Sequence, residues 1–269
     1  MTACIRSASN PLIRRVRALL TDPARRAAEG VFVLEGPKLA QEALDAGVRI
    51  EQAFVDEALL DGKPLLPILE ALRGRGVPVT PLGGGALRAA QDADAPQGLA
   101  LLVGLPRMEF SALAVRGADA ILAVAWRIQD PGNLGAIIRS AEAAGASGVA
   151  VVAGGADPFH PRAVRGSAGS ILRLPVAFGC DPSEILSRLQ EAGIGLVAAV
   201  ASGGIAYDRA DLRGANAILL GNEGAGLPPE IEAAARPLSI PMLGRVESLN
   251  VAVSAALLLF EAARQRRAG

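Results

Sequence analysis

Three short polar strings hold the side chains from which a reaction site can be assembled. The first is Asp130-Pro131-Gly132-Asn133, running on through Leu134 and Gly135 to Arg139-Ser140. The second is Leu220-Gly221-Asn222-Glu223-Gly224-Ala225-Gly226. The third is Ser239-Ile240-Pro241-Met242, continuing to Glu247-Ser248-Leu249-Asn250-Val251. Asn133 can both donate and accept at a loop tip. Arg139 falls one to two turns inside the following helix, where a buried guanidinium needs a carboxylate or phosphate partner. Glu223 is its natural partner, and the glycines around Glu223 permit close backbone approach to a ligand. Ile240 to Gly244 is apolar with free main-chain groups, a segment suited to an adenine slot. Ser248 suits the N-cap of the final helix, with Asn250 in the first turn. Taken singly, each string is equally a turn or a cap; three in this order point to one shared site.

The surrounding elements must bring those strings together. Each string follows a strand-like run and leads into a helix-like run, which places three loops at the same edge of a parallel sheet, where α/β proteins bind ligands. Ahead of them the pattern predicts a helix over 11–29, a strand at Val31–Leu34, a helix over 38–46, a strand near Gln52–Val55, a helix near 64–75, and strands at Val77–Pro81 and Gly98–Val103. This alternation is a small α/β domain over 1–105, followed by a linker over 106–117. The rhythm restarts in 118–269, with strands at Ala120–Ala125, Gly148–Val152, Leu174–Phe178, Gly195–Val200, Ile218–Leu220 and Leu238–Ile240. Helices are expected at Leu134–Ala144, 161–166, Pro182–Ala192 and Leu249–Gln265. The last is apolar nearly all round, so it is buried either within one subunit or against a second copy.

Composition sets outer bounds. Half of the 269 residues are apolar and only 3% are aromatic, which favours close helix-on-sheet packing over a surface of stacked rings. The 27 basic and 27 acidic residues cancel, so any nucleic-acid surface must be a local patch. The first thirty residues lean basic through Arg6, Arg14, Arg15, Arg17, Arg25 and Arg26, which solvated helix faces would also explain. Cys4 and Cys180 have no metal-like spacing, and no zinc site or disulfide framework is expected. No apolar stretch reaches bilayer length, so a cytoplasmic protein is expected. His160, in Asp157-Pro158-Phe159-His160-Pro161, is expected to be structural, and Gly83-Gly84-Gly85 a turn. Arg165-Gly166-Ser167-Ala168-Gly169-Ser170 is a polar run near the same edge, either a nucleic-acid phosphate contact through Arg165 and Ser167 or a turn. A dinucleotide oxidoreductase would want Gly-x-Gly-x-x-Gly after its first strand, and Asp130-Pro131-Gly132-Asn133 stands there instead.

The three strings resemble the signature motifs of the SpoU/TrmH family of RNA ribose 2′-O-methyltransferases, within the SPOUT superfamily, over residues 118–266. Phe32-Val33-Leu34-Glu35-Gly36 and the helix after it resemble the ribosomal-protein-like (L30e-type) substrate-binding domain that precedes many members. The resemblance implies an α/β fold, mostly parallel, with a trefoil-knotted C-terminal domain. It implies S-adenosylmethionine as cofactor, no metal, and a homodimer through the knotted region. Its catalytic positions fall on Asn133, Arg139, Glu223, Ser248 and Asn250, with Glu223 orienting Arg139 or Asn133, and its cofactor contacts on Ala201, Gly221, Ile240, Met242 and Leu249. Ala252 stands where many relatives have serine. The implied substrate is ribosomal RNA, the 23S species, with transfer RNA, or RNA binding without catalysis, as the alternatives.

Overall fold

The computed structural model describes residues 3–60, 62, 64–92, 97–106, 110, 113 and 120–268. Most of the expected linker over 106–117 lies outside the described residues. The chain forms two compact units, one of residues 1–106 with 159–173, the other of 107–158 with 174–269.

The first unit opens with two helices where one was expected, α1 (Pro11–Thr21) and α2 (Pro23–Glu29). Proline disfavours helical backbone at the residue before it. Asp22 is accordingly extended, at φ −114° and ψ 109°, and its carboxylate accepts from Ala24 and Arg25 N–H as the N-cap of α2. The Arg26 guanidinium is only 2% exposed. It donates to the carbonyls of Leu19 at 2.6 Å and Leu20 at 3.2 Å, groups that the end of α1 leaves without helical partners. There follow β1 (Val31–Glu35), α3 (Pro37–Asp45), β2 (Ile50–Asp56), α4 (Leu66–Gly74), β3 (Val79–Leu82), α5 (Gly84–Ala89) and β4 (Leu99–Gly104). The strands lie in the order β1-β4-β2-β3, antiparallel except for the β2–β3 pair. The glycine triplet expected as a turn instead starts α5.

In the second unit come β5 (Ile121–Ala125), α6 (Pro131–Ala143) and β6 (Gly148–Val152). Next is α7 (Pro161–Ser167), which belongs to the first compact unit although the chain reaches it from β6. The second unit continues with β7 (Val176–Cys180), α8 (Pro182–Glu191), β8 (Gly195–Val200), β9 (Ile205–Ala206), β10 (Asn216–Leu220), α9 (Pro229–Ala233), β11 (Arg236–Ser239) and α10 (Val251–Ala268). Seven strands run in the order β7-β6-β5-β10-β8-β11-β9, and every neighbouring pair is parallel. β9 and α9, of two and five residues, are too short to leave a periodic signal.

This order fixes where a ligand can go. The chain leaves β5 toward β6 and β7 on one side, then fills β8, β11 and β9 on the far side of β10. The direction reverses between β5 and β10, so the loops at their carboxyl ends flank a switch-point crevice. Both strands are buried along their whole length, which their uninterrupted apolar sequences dictate. Leu219 of β10 is fully buried in a cluster with Leu122, Val124 and Ala198. Leu219→Ala should lower stability by about 2–5 kcal/mol, read as a fall in denaturation midpoint at constant m-value.

Candidate active site

At the reversal, four side chains meet through hydrogen bonds whose directions are fixed at both ends. Asp130 caps α6, its carboxylate accepting from Asn133 N–H at 2.9 Å. The Asn133 Nδ2 donates to Glu223 Oε1 at 3.0 Å, and the Asn133 Oδ1 accepts from Asn250 Nδ2 at 2.9 Å. Asn250 Oδ1 accepts in turn from Ala252 N–H at 2.9 Å and Val253 N–H at 3.4 Å. An ionised carboxylate only accepts and a helix N-terminus only donates. Each amide between them therefore has one orientation that satisfies both neighbours. Asn250, two residues beyond the expected Ser248, is thus the N-cap of α10; Ser248 is exposed before it.

Glu223 is held by three donors. Besides Asn133, the backbone N–H groups of Gln129 and Asp130 donate to it at 3.1 and 3.2 Å. Partial burial by itself would raise its carboxyl, but these hydrogen bonds outweigh it and hold Glu223 below the ordinary glutamate range. Glu223 is therefore ionised at neutral pH. Its partner is Asn133, one of the two residues it was expected to orient, and not Arg139. Arg139 is exposed on α6 and has no ion-pair partner among the described residues. Residues near one sheet edge need not be partners, since helix phase decides which side chains face each other.

Two further residues, unremarked in the sequence, tie the loops together. Asn222 Nδ2 donates to the Arg127 carbonyl at 3.0 Å, while its Oδ1 accepts from Gly224 and Ala225 N–H at 3.0 and 2.9 Å. Gln129 Nε2 donates to the same Arg127 carbonyl at 2.9 Å and to Gly154 O at 3.0 Å. Arg127 is left-handed, with φ +52°, a conformation unusual for a residue with a Cβ. Nothing in residue type alone signals that conformation.

Beside this network lies a cavity of about 390 Å³. All five expected cofactor contacts line it: Ala201 after β8, Gly221 after β10, Ile240 and Met242 after β11, and Leu249 before α10. Glu223, Ser248 and Asn250 border it too, with Leu238 and Leu258 among its apolar walls. Gly221 is needed for packing: a Cβ there would stand 2.5 Å from Gly226 C and 2.6 Å from Leu227 N. The adjacent strands β10, β8 and β11 thus deliver small residues and main-chain groups to one nucleoside-sized slot, a donor set suited to S-adenosylmethionine.

The expected RNA contacts outside the three strings are placed differently. Ser167 is fully buried, and its hydroxyl donates to Val164 O at 2.8 Å. Arg165 is engaged by Asp92 at 3.2 Å and Glu35 at 3.8 Å. Both lie on α7 in the first unit, serving its packing. His160 caps α7 by accepting from Arg162 N–H at 3.2 Å, the structural role expected of it. Among the described residues, no group of three or more His, Cys, Asp or Glu side chains is placed to hold a metal ion, and no helix is long and apolar enough to cross a membrane.

Comparison with known proteins agrees with this geometry. Residues 120–260 match the SpoU rRNA Methylase family, and residues 10–100 match the MRM3-like substrate binding domain. The chain is 32% identical over 259 residues to the 23S rRNA guanosine 2′-O-methyltransferase RlmP of Bacillus subtilis, covering 95% of this chain and 97% of that one. It is 30% identical over 266 residues to a 23S rRNA uridine 2′-O-methyltransferase of Streptomyces viridochromogenes, covering 97% and 92%. The crystal structure of the SpoU methyltransferase AviRb from the same organism, in complex with the cofactor AdoMet, superposes with a TM-score of 0.85 at 30% identity over 97% of this chain and 99% of that one.

The Glu223 carboxylate makes the site acid-sensitive in a defined direction. Its folded-state pKa is depressed, so its stabilisation is complete above the unfolded value of about 4.3 and is lost as pH falls through the lower folded value. Denaturation midpoints of wild type and Glu223→Gln should differ most near neutrality and converge in acid; a gap that widens in acid would refute this.

Proposed function

The chain belongs to the SpoU rRNA methylase family, and on that premise we propose that it methylates a ribose 2′-hydroxyl of ribosomal RNA, in the 23S species, with S-adenosylmethionine as donor. The observation that carries this reading is the Glu223–Asn133–Asn250 network at the mouth of the cavity lined by Gly221, Ile240 and Leu249. Ribosomal RNA is favoured over transfer RNA because the two relatives compared along nearly their whole length act on 23S rRNA. Catalysis is favoured over RNA binding alone because the polar network fixes the orientation of Asn133 and Asn250 beside the cavity.

S-Adenosylmethionine bound in the cavity supplies a methyl group already activated by its sulfonium. The protein must set the 2′-oxygen in line with that methyl carbon and relieve it of its proton. Asn133 spends one N–H on Glu223 and one lone pair on Asn250, which leaves one N–H and one lone pair for a ribose. Asn250 and Glu223 fix the plane of that amide, and Ser248 borders the same mouth. Arg139, exposed and without an ion-pair partner among the described residues, is free to meet the RNA. A guanidinium is a poor base, so its role is hydrogen bonding to the 2′-oxygen and stabilising the charge that develops there, while the hydroxyl proton passes to solvent water as the oxygen–methyl bond forms and the sulfur–methyl bond breaks.

A second copy of the chain completes this reading. Val253 and Phe260 of α10 are 48% and 45% exposed, and Val246 in the loop before it is 61% exposed. Apolar groups of that kind along the last helix suit a homodimer interface, in the C-terminal domain that the family's fold implies to be knotted. A cytoplasmic location fits an enzyme acting on ribosomal RNA.

Tritium transfer from labelled S-adenosylmethionine to ribosomal RNA from cells lacking this gene tests the proposal. Label should resist alkaline cleavage at one ribose, and Arg139→Ala should reduce transfer at least 100-fold, on the scale of losing one transition-state donor, with cofactor binding kept. Full turnover by Arg139→Ala would remove that residue from the mechanism, and label reaching transfer RNA alone would overturn the substrate. Light scattering at micromolar concentration should give twice the chain mass; a monomer would refute the dimer.

A further inference from the structure

The loop between β5 and α6 holds one residue in a conformation that glycine would take at no cost. Arg127 stands at φ +52°, in the left-handed region, where a Cβ is strained. Several bonds keep it there. Its carbonyl accepts from Asn222 Nδ2 at 3.0 Å and from Gln129 Nε2 at 2.9 Å. Ile128, the next residue, is fully buried, and its carbonyl accepts from Ala156 N–H at 2.7 Å. Gly155 leaves room for the turn: a Cβ there would stand 3.1 Å from Ile128 O and 3.2 Å from Arg127 Cα. Glycine serves a bare left-handed turn best, so an arginine at this position points to work done by its side chain. That side chain is exposed, and its guanidinium has no hydrogen-bond or ion-pair partner among the described residues. Its Nε lies over Gly154, 3.7 Å from where a Cβ on that glycine would stand. Arg127 does not line the cavity beside the polar network, so the anion it suits is not one held in that cavity.

We propose that Arg127 holds a phosphate of the RNA next to the ribose that receives the methyl group. Asn222, which fixes the Arg127 carbonyl, directly precedes Glu223, and Glu223 holds the Asn133 amide proposed for that ribose. One loop junction thus sets both contacts. The turn sends Ile128 into the core and Arg127 outward. A guanidinium fork matches a phosphate with two parallel hydrogen bonds and stays charged at every working pH. Phosphate contacts place a nucleic acid without reading its bases. This one is made before and during methyl transfer alike, so it contributes to binding and leaves the chemical step untouched. The assignment deepens the reading of this chain as an RNA methyltransferase, on which it rests.

The test uses the full chain, labelled S-adenosylmethionine, and ribosomal RNA from cells lacking this gene, with kcat and KM read across a salt series. Arg127→Gln should raise KM for RNA about fivefold or more, with kcat within about twofold of wild type. Its log KM should also depend less steeply on log salt, by about 0.7–0.9, one phosphate contact. Arg127→Lys keeps the charge and should stay within about threefold of wild type in KM. Arg127→Gly should raise KM as Arg127→Gln does, yet its denaturation midpoint should equal or exceed that of wild type, because glycine takes this φ without strain. Kd for S-adenosylmethionine should be unchanged in all three. Arg209→Gln, which removes an exposed arginine of the second unit away from the cavity, should stay within about twofold of wild type. An unchanged KM in Arg127→Gln, a loss confined to kcat, or an equal rise in Arg209→Gln would each overturn the proposal. A loss confined to kcat would make Arg127 a support for Asn133 and Glu223 instead. No methyl transfer to ribosomal RNA by wild type would overturn the enzymatic reading and this contact with it, whereas transfer whose KM ignores Arg127 would overturn the contact alone.

Discussion

One constraint governs the site: an acceptor-only carboxylate and a donor-only helix terminus face each other across two amides. Glu223 cannot donate, and the first N–H groups of α10 cannot accept. Asn250 and Asn133 must each turn one way to connect them, and in that arrangement every bond is satisfied. A side-chain amide in water has two nearly equivalent orientations; here the ends remove one of them. Ordering these groups happens on folding, so little of that cost is left for the moment when RNA arrives.

The sheet makes this arrangement possible. Reversal of strand order between β5 and β10 brings the loops carrying Asn133 and Glu223 side by side, though 90 residues separate them. The neighbouring order β10-β8-β11 brings Gly221, Ala201 and Ile240 to the adjoining cavity. Between the two regions, Asn222 and Gln129 hold the carbonyl of left-handed Arg127. The polar network and the cavity therefore share a wall, the loop that follows β10.

Much of this was legible in the residues, and the shortfall has physical causes. Strand and helix positions followed from apolar runs and glycine or proline punctuation, because those signals are local. All five positions expected to contact cofactor border one cavity because they sit at or just beyond strand ends, where parallel topology leaves little freedom. The Arg139–Glu223 pair was misread because chain position along a sheet edge does not give the rotational phase of a helix. The Asp22-Pro23 step split one expected helix, a local signal that apolar periodicity hid. Arg165 and Ser167 looked like RNA contacts as a polar glycine-rich run, yet α7 packs into the first unit, and no local pattern shows with which unit a segment will cluster.

The contact from Asn250 to Asn133 spans 117 residues of chain. No local element contains the whole site, and Asn133 loses the donor to its Oδ1 if α10 undocks, since the residue that caps that helix is also the one that steadies Asn133. Contacts of such long range close late in folding, after the loop-closure entropy has been overcome. A chain still emerging from the ribosome, or one stalled as a partly folded intermediate, therefore lacks the means to modify the RNA around it. The site is complete only once the last helix is seated, because Leu249, Asn250 and Leu258 border its cavity.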